Sequence, residues 1–223
     1  MMRMRRRYLL GTLTCLVIGV VLLAGCNEEK QVQPSSENIK IEIKTGADDG
    51  GVVALTDLLP DNVFGIVNGG GDQPFMVGLF TSGGGDNLTG RGIYRFDISE
   101  YKNKSFTFHV KCVEKHGNPG SLEVYLTNDS GPLETNPSNM SDISQIWNLI
   151  NFGEKVATIT PVSGGWITVS ISSAMVKSWV TDDGYITIML KLGNENLGSN
   201  NDYYGLSTYE YSQGSAKPYL SAS

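Results

Sequence analysis

The side chains in this sequence that chemistry would recruit first are carboxylates, and several stand beside glycine. The stretch GGGDQPFMVGLFTSGGGDN, residues 69 to 87, carries Gly-Gly-Gly-Asp near both ends, and Asp48-Asp49 opens another loop. Glycine lets backbone carbonyls fold close to a hard cation, so Asp48, Asp49, Asp72 and Asp86 are candidate ligands of a structural Ca2+, with Asp183 and Asp202 as further donors. The competing reading is that aspartate after glycine caps a turn by bonding its own backbone, which is the commoner use. A phosphate cradle fails on mechanism. GDNLTGRG, residues 85 to 92, has two glycines at the separation of a phosphate loop, but Arg91 and Gly92 stand where a Lys and a Ser or Thr are needed. The IYRFDI that follows alternates like a strand, so no helix N-terminus is offered to an anion.

Catalytic patterns are missing. The chain has no G-x-S-x-G elbow, no H-E-x-x-H helix and no C-x-x-C pair. Its two histidines, His109 and His116, read as solvated: the first alternates with Phe108 and Val110 and should point outward, and the second begins a turn. Carboxylates are plentiful, yet spacing singles out no glycosidase-like pair. The expectation is a protein that binds rather than reacts. Tyrosines are the candidates for binding, since each joins an apolar ring to a hydroxyl and so suits the faces and edges of sugars. Tyr125 lies on the strand face opposite Leu122, Val124 and Leu126, and Tyr203, Tyr204, Tyr209 and Tyr211 cluster near the C-terminus. Against this stands the ordinary use of tyrosine on a half-exposed strand.

Most of these residues need strands to position them. Apolar side chains alternate at Ile39, Ile41 and Ile43, from Phe106 to Cys112, from Leu122 to Leu126, and from Ile186 to Leu192, a period of two that marks strands with one buried face. HGNPGS at 116 to 121 and TDDGY at 181 to 185 punctuate them, and Asp183-Gly184 suits a primed hairpin turn. Two segments have helical spacing. SDISQIWNLIN sets Ile143, Ile146, Trp147 and Ile150 on one side behind a Ser141 cap, and SSAMVKSWV does so with Met175, Val176 and Trp179. The pattern predicts an all-β, jelly-roll-like β-sandwich with one or two short helices closing its end and plugging it with their tryptophans.

Residues 1 to 25 are of another kind. Arg3, Arg5, Arg6 and Arg7 precede an uncharged apolar run, the order of an export signal. The run ends in Leu23-Ala24-Gly25-Cys26, which resembles the lipobox of prokaryotic lipoproteins and makes Cys26 the residue that takes a lipid. The chain then divides into a signal peptide (1–25), a flexible tether (26–38) and a β-sandwich domain (39–223), exported and held to the cell membrane or envelope by the anchor. An uncleaved membrane helix is the competing reading, and it too leaves the rest outside. Four of the 17 Lys and Arg residues and none of the 23 Asp and Glu fall in the leader, so the remainder carries 13 basic against 23 acidic side chains, a formal charge of −10. Nucleic acid is excluded as a partner, because neutralising phosphates needs clustered cations. With Cys15 in the leader and Cys26 lipidated, Cys112 stands alone and no internal disulfide is expected. Four sequons, at Asn87, Asn103, Asn128 and Asn139, mark loops expected to be exposed.

GRGIYRFDIS at 90 to 99 resembles the signature strand of the DNRLRE domain, also classed as carbohydrate-binding module family 96. ADDGGVV, NVFG, FMVG, ISSAMVKSWV and LSTYEYSQGSAKPYL follow that family's order over residues 45 to 222, while its Trp-x-Glu and Thr-Trp are represented only by Ile146-Trp147-Asn148. The resemblance implies a jelly-roll-like sandwich found on surface proteins and beside polysaccharide-degrading enzymes, disaggregatase-related ones among them. It also implies that basic side chains meet an acidic polysaccharide, for which Arg95 and Lys111 are the candidates, with Lys177 and Lys191 also on elements. A charge of −10 opposes long-range attraction to a polyanion, so calcium bridging or a neutral glycan fits better. The leading expectation is a membrane-tethered, non-catalytic carbohydrate-binding module for a surface or extracellular polysaccharide. The alternatives are an adhesive envelope protein that meets other proteins and, with less support, a polysaccharide lyase or hydrolase.

Overall fold

The computed structural model describes residues 39–55, 63–68, 71–133, 140–196 and 201–222; Cys26, the leader, the tether and the Asn139 sequon lie outside them. Among the described residues no helix is long and apolar enough to cross a membrane. The strands are β1 (Lys40–Glu42), β2 (Asp49–Leu55), β3 (Val63–Asn68), β4 (Phe75–Thr81), β5 (Asn87–Asp97) and β6 (Phe106–His116), then β7 (Leu122–Thr127), β8 (Glu154–Ile159), β9 (Trp166–Ile171), β10 (Tyr185–Leu192), β11 (Asp202–Leu206) and β12 (Tyr219–Ala222). Two α-helices interrupt them, α1 (Met140–Asn148) and α2 (Ser173–Trp179). The protein is an all-β sandwich.

All pairing is antiparallel, in the order β1-β12-β6-β11-β4-β5-β10-β7-β8, with β2 on β5, β3 on β2 and β9 on β6. One long strand makes this continuous network into two layers. Residues Phe106 to Lys111 of β6 pair with β9 and β12 in a smaller sheet completed by β1, whereas Cys112 to His116 pair with β11 in the larger sheet. The inner faces meet in one core. Phe108 of the smaller sheet packs against Tyr94 and Phe96 of β5, ring centroids 5.4 and 6.0 Å apart. The period-two runs supply this core: Phe106, Phe108, Val110 and Cys112, Leu122, Val124 and Leu126, and Ile186, Ile188, Leu190 and Leu192 are all buried. Each such side chain contributes about 1.5–3 kcal/mol.

A second, smaller core lies on the outer face of the larger sheet. Val52, Ala54, Ile66, Ile93 and Met189 project there and are covered by Ile143, Trp147 and Ile150 from α1 and the 3-10 turn after it, with Leu133 beside them. The first helix therefore covers a face, not the end of the sandwich as its sequence suggested. Its described span, Met140–Asn148, already includes Ser141. The reason is compositional: strands of the larger sheet place apolar residues on both faces, and the second face needs a cover. Helix α2 follows expectation more closely, with Ser172 accepting from the Met175 amide as cap and Val176 buried. Asp183-Gly184 links α2 to β10 and is not a hairpin turn. Only Gly184 has positive φ (91°), whereas a type I′ turn requires it at both central residues.

Candidate functional site

On the larger sheet's outer face the charges are already engaged with one another. Arg91 on β5 donates to both Glu195 oxygens at 2.9 and 2.6 Å and to the Trp147 carbonyl at 2.9 Å, with its guanidinium 3.8 Å from the centre of the Trp147 ring. Four residues on, Arg95 reaches Asp129 at 2.7 and 3.0 Å and Asp48 at 3.1 Å, and lies 3.4 Å from the centre of the Tyr185 ring. Burial works to raise the Asp129 carboxyl, but the bonds from Arg95 and Thr187 outweigh it and hold the group below the usual carboxylate range. Glu123 collects Lys155, Lys191 and the Tyr125 hydroxyl. Burial, with the bond given to Glu123, pushes that phenol up to about 12.

The smaller sheet's outer face is built differently. Cross-strand register places Glu42, Tyr219, His109 and Thr168 in one row, and Lys40, Ser221, Thr107 and Ser170 in the next, with the Lys111–Trp166 pair on the other side of the first. The rings of His109 and Tyr219 stack, 4.3 Å apart and 9° from parallel, and Trp166 meets Tyr219 edge-on at 5.7 Å. The Lys40 ammonium sits 4.5 Å from the Tyr219 ring centre and pairs with Glu42 at 2.5 Å. Burial and the Lys40 charge hold His109 below the ordinary imidazole range, so it stacks as a neutral ring and shares a hydrogen bond with Ser221 Oγ. Trp166 is 45% exposed, a large value for an indole on a strand. Three rings thus form a platform rimmed by hydroxyls and two lysines.

Beyond the platform, β6 carries an extra residue. Leu206 pairs with Cys112 and Gly205 with Glu114, so Val113 bulges out as the strand passes between sheets. Val113 and Glu114 line an open cleft of about 380 Å³ with Asp72, Gln73, Pro74, Tyr211 and Ser212. The Glu114 side chain lies over Gly205, where an added Cβ would stand 2.6 Å from Glu114 Cγ. A second cleft of about 390 Å³, lined by Tyr209, Glu210, Gln213 and Lys217, shares the Asp72 wall. Between the two, Ser212, Gln213 and Gly214 form a left-handed turn with φ of 53°, 54° and 77°. Such a conformation costs about 1–2 kcal/mol at each non-glycine residue, and the Ser212 amide donated to Asp72 helps to hold it. Asp49 lies fully buried behind, accepting from the Tyr209 amide at 2.6 Å, while its Oδ1 has no hydrogen-bond partner among the described residues. Burial pushes this carboxyl up to about 8, and the Tyr209 bond only partly opposes it.

The sequence candidates scatter over these places. The four aspartates do not converge: Asp48 holds Arg95, Asp49 the Tyr209 amide and Asp72 the Ser212 amide, while Asp86 ends the β4–β5 hairpin. Among the described residues no group of three or more His, Cys, Asp and Glu is placed to hold a metal ion. The second Gly-Gly-Gly-Asp turns the chain, with Ser82 Oγ accepting from the Gly84 and Asp86 amides. Tyr204 is buried, its hydroxyl given to the Gly120 carbonyl, so its ring belongs to the core and not to a surface. Arg95 is consumed by its two aspartates, and Tyr125 faces the helix-covered side. Tyr203 stacks on His116 at 5.2 Å, Tyr211 lines the first cleft, Tyr209 the second, and Lys111 stands beside Trp166. Both histidines stack on tyrosine rings; His109 is half-buried, whereas His116, which ends a strand, is exposed as expected. Sequence reasoning missed Trp166 and Tyr219, although Trp166, Thr168 and Ser170 alternate with Ile167, Val169 and Ile171, the mark of an open outer face.

No family model matches the chain, and no curated protein matches it. Among solved structures, it is similar to the N-terminal CBM22-1–GH10 modules of endo-1,4-β-D-xylanase 10B from Clostridium thermocellum, complexed with xylohexaose. The identity is 10% and the TM-score 0.31, over 83% of this chain and 28% of that one. The chain thus spans less than a third of that two-module protein's length.

Proposed function

We propose that this protein is a non-catalytic carbohydrate-binding domain that holds a surface or extracellular polysaccharide on the outer face of its smaller sheet. One observation carries the reading: Trp166 stands 45% exposed, edge-on to a Tyr219–His109 stack, on a face that also carries four hydroxyls, Lys40, Glu42 and Lys111. A sugar ring presents an apolar C–H face and a polar edge. The platform offers flat rings for the first, and Thr107, Thr168, Ser170 and Ser221 for the second. The lipobox at Cys26 and the DNRLRE resemblance support the same reading, with the domain tethered to the membrane. Ser221 Oγ lies 2.9 Å from His109 Nε2, a hydroxyl beside an imidazole, so the test also assays for chemistry. The test is a glycan array probed with the purified protein and its Trp166→Ala variant, in calcium and in chelator, with reducing ends assayed afterwards. Retention of a polysaccharide by the wild type, its loss in the variant and no new reducing ends are expected. Equal retention by the variant would move the site elsewhere, and new ends would make the protein an enzyme.

A further inference from the structure

We infer that the glycan on the platform continues along β6 into the cleft at Val113, so that the ligand is a linear, uncharged glycan several residues long and not a single terminal sugar. This rests on the platform being a glycan site. The outward residues of β6 run Thr107, His109, Lys111 and then, at the bulge, Val113 and Glu114, so the strand connects platform and cleft without an intervening element. Four strand steps separate His109 from Val113, about 13 Å at the usual rise, more than one stacked ring covers. Tyr211 gives the cleft an aromatic wall, and the bulge turns Val113 and Glu114 into it. Gly205 leaves the space in which the Glu114 side chain lies.

Charge fixes the class of chain. Asp72 and Glu114 line the cleft; in its neighbour Asp72 and Glu210 are set against Lys217, which sits over the Tyr209 ring. Carboxylates accept hydrogen bonds from sugar hydroxyls and repel uronates or sulfates. On the platform Lys40 is paired with Glu42, which leaves Lys111 as the cation along the track, set against these carboxylates. A polyanion would lose more at the cleft than it gained at Lys111.

Calorimetry on the full chain with β-linked gluco-, manno- and xylo-oligosaccharides, each as di-, tetra- and hexasaccharide, together with polygalacturonate, tests this. The hexasaccharide of the recognised series is expected to bind about tenfold more tightly than the disaccharide, a difference of about 1.4 kcal/mol. Tyr211→Ala, and Glu114→Gln as a variant that keeps the shape, should weaken the hexasaccharide and leave the disaccharide unchanged, while Trp166→Ala weakens both. Equal affinity for the two lengths with silent cleft variants would overturn the track and leave the platform standing. Tighter binding of polygalacturonate would overturn the uncharged ligand. Failure of all three neutral series would overturn this inference, and the glycan array then shows whether the platform reading falls with it.

Discussion

The sandwich has two outer faces, made from the same alternating strands and put to opposite uses. The larger sheet's face carries Val52, Ala54, Ile93 and Met189 between its polar positions, so it is covered by α1, and its two arginines are closed into ion pairs, Arg91 against Trp147 of that cover. The smaller sheet's face carries Thr107, Thr168, Ser170 and Ser221, with Trp166 exposed beside a half-buried Tyr219–His109 stack. Two tryptophans mark the contrast. Trp147 is 1% exposed under an arginine, and Trp166 is 45% exposed over hydroxyls. An aromatic ring says little about binding until its face is known to be covered or bare.

Substitutions sharpen that contrast. Trp147→Ala empties a buried site and strips Arg91 of its ring, so the loss of unfolding free energy should be about 3–5 kcal/mol in urea titrations. A value below that of an exposed site would break the distinction. Arg95→Ala leaves Asp129 and Asp48 without their cation and should cost on the order of 2–3 kcal/mol, read the same way. Asp49 supplies a pH signature. Its folded pKa, about 8, lies above the ordinary aspartate value near 3.8, so the folded state keeps the proton more tightly than the unfolded one. Its contribution is full below about pH 4 and is lost as pH rises through 8, with a slope of up to about 1.4 kcal/mol per pH unit. Asp49→Asn should flatten that part of the stability profile, and an unchanged slope would show that another group carries it. Trp166→Ala should be the mildest, within about 0.5 kcal/mol of wild type by thermal unfolding, while glycan retention disappears.

Strands were the legible part of this protein. The runs ending at Cys112, Leu126 and Leu192 declare their buried faces, because a period of two leaves a side chain no other place to go. The helical spacing of Ile143 and Trp147 was equally plain, but not the face they cover, which depends on Val52, Ile66 and Met189 from three separate strands. The platform was illegible for the same reason. His109, Trp166 and Tyr219 become neighbours only through the register of β6 with β9 and β12, so no local window contains them. The separation of the aspartates was likewise not legible in the sequence. Their loops have the composition of a cation site, yet each carboxylate except Asp86 has a separate amide or arginine to satisfy.

The pairing of β1 with β12 has a kinetic consequence. Lys40 lies opposite Ser221, so the smaller sheet closes by joining strands from nearly opposite ends of the described chain. Pairings so distant in sequence must meet the entropy of closing a long loop before any contact repays it, and topologies dominated by them fold slowly. Tyr219 stands on one of these strands and Lys40 on the other, so the platform exists only once that distant pairing has formed.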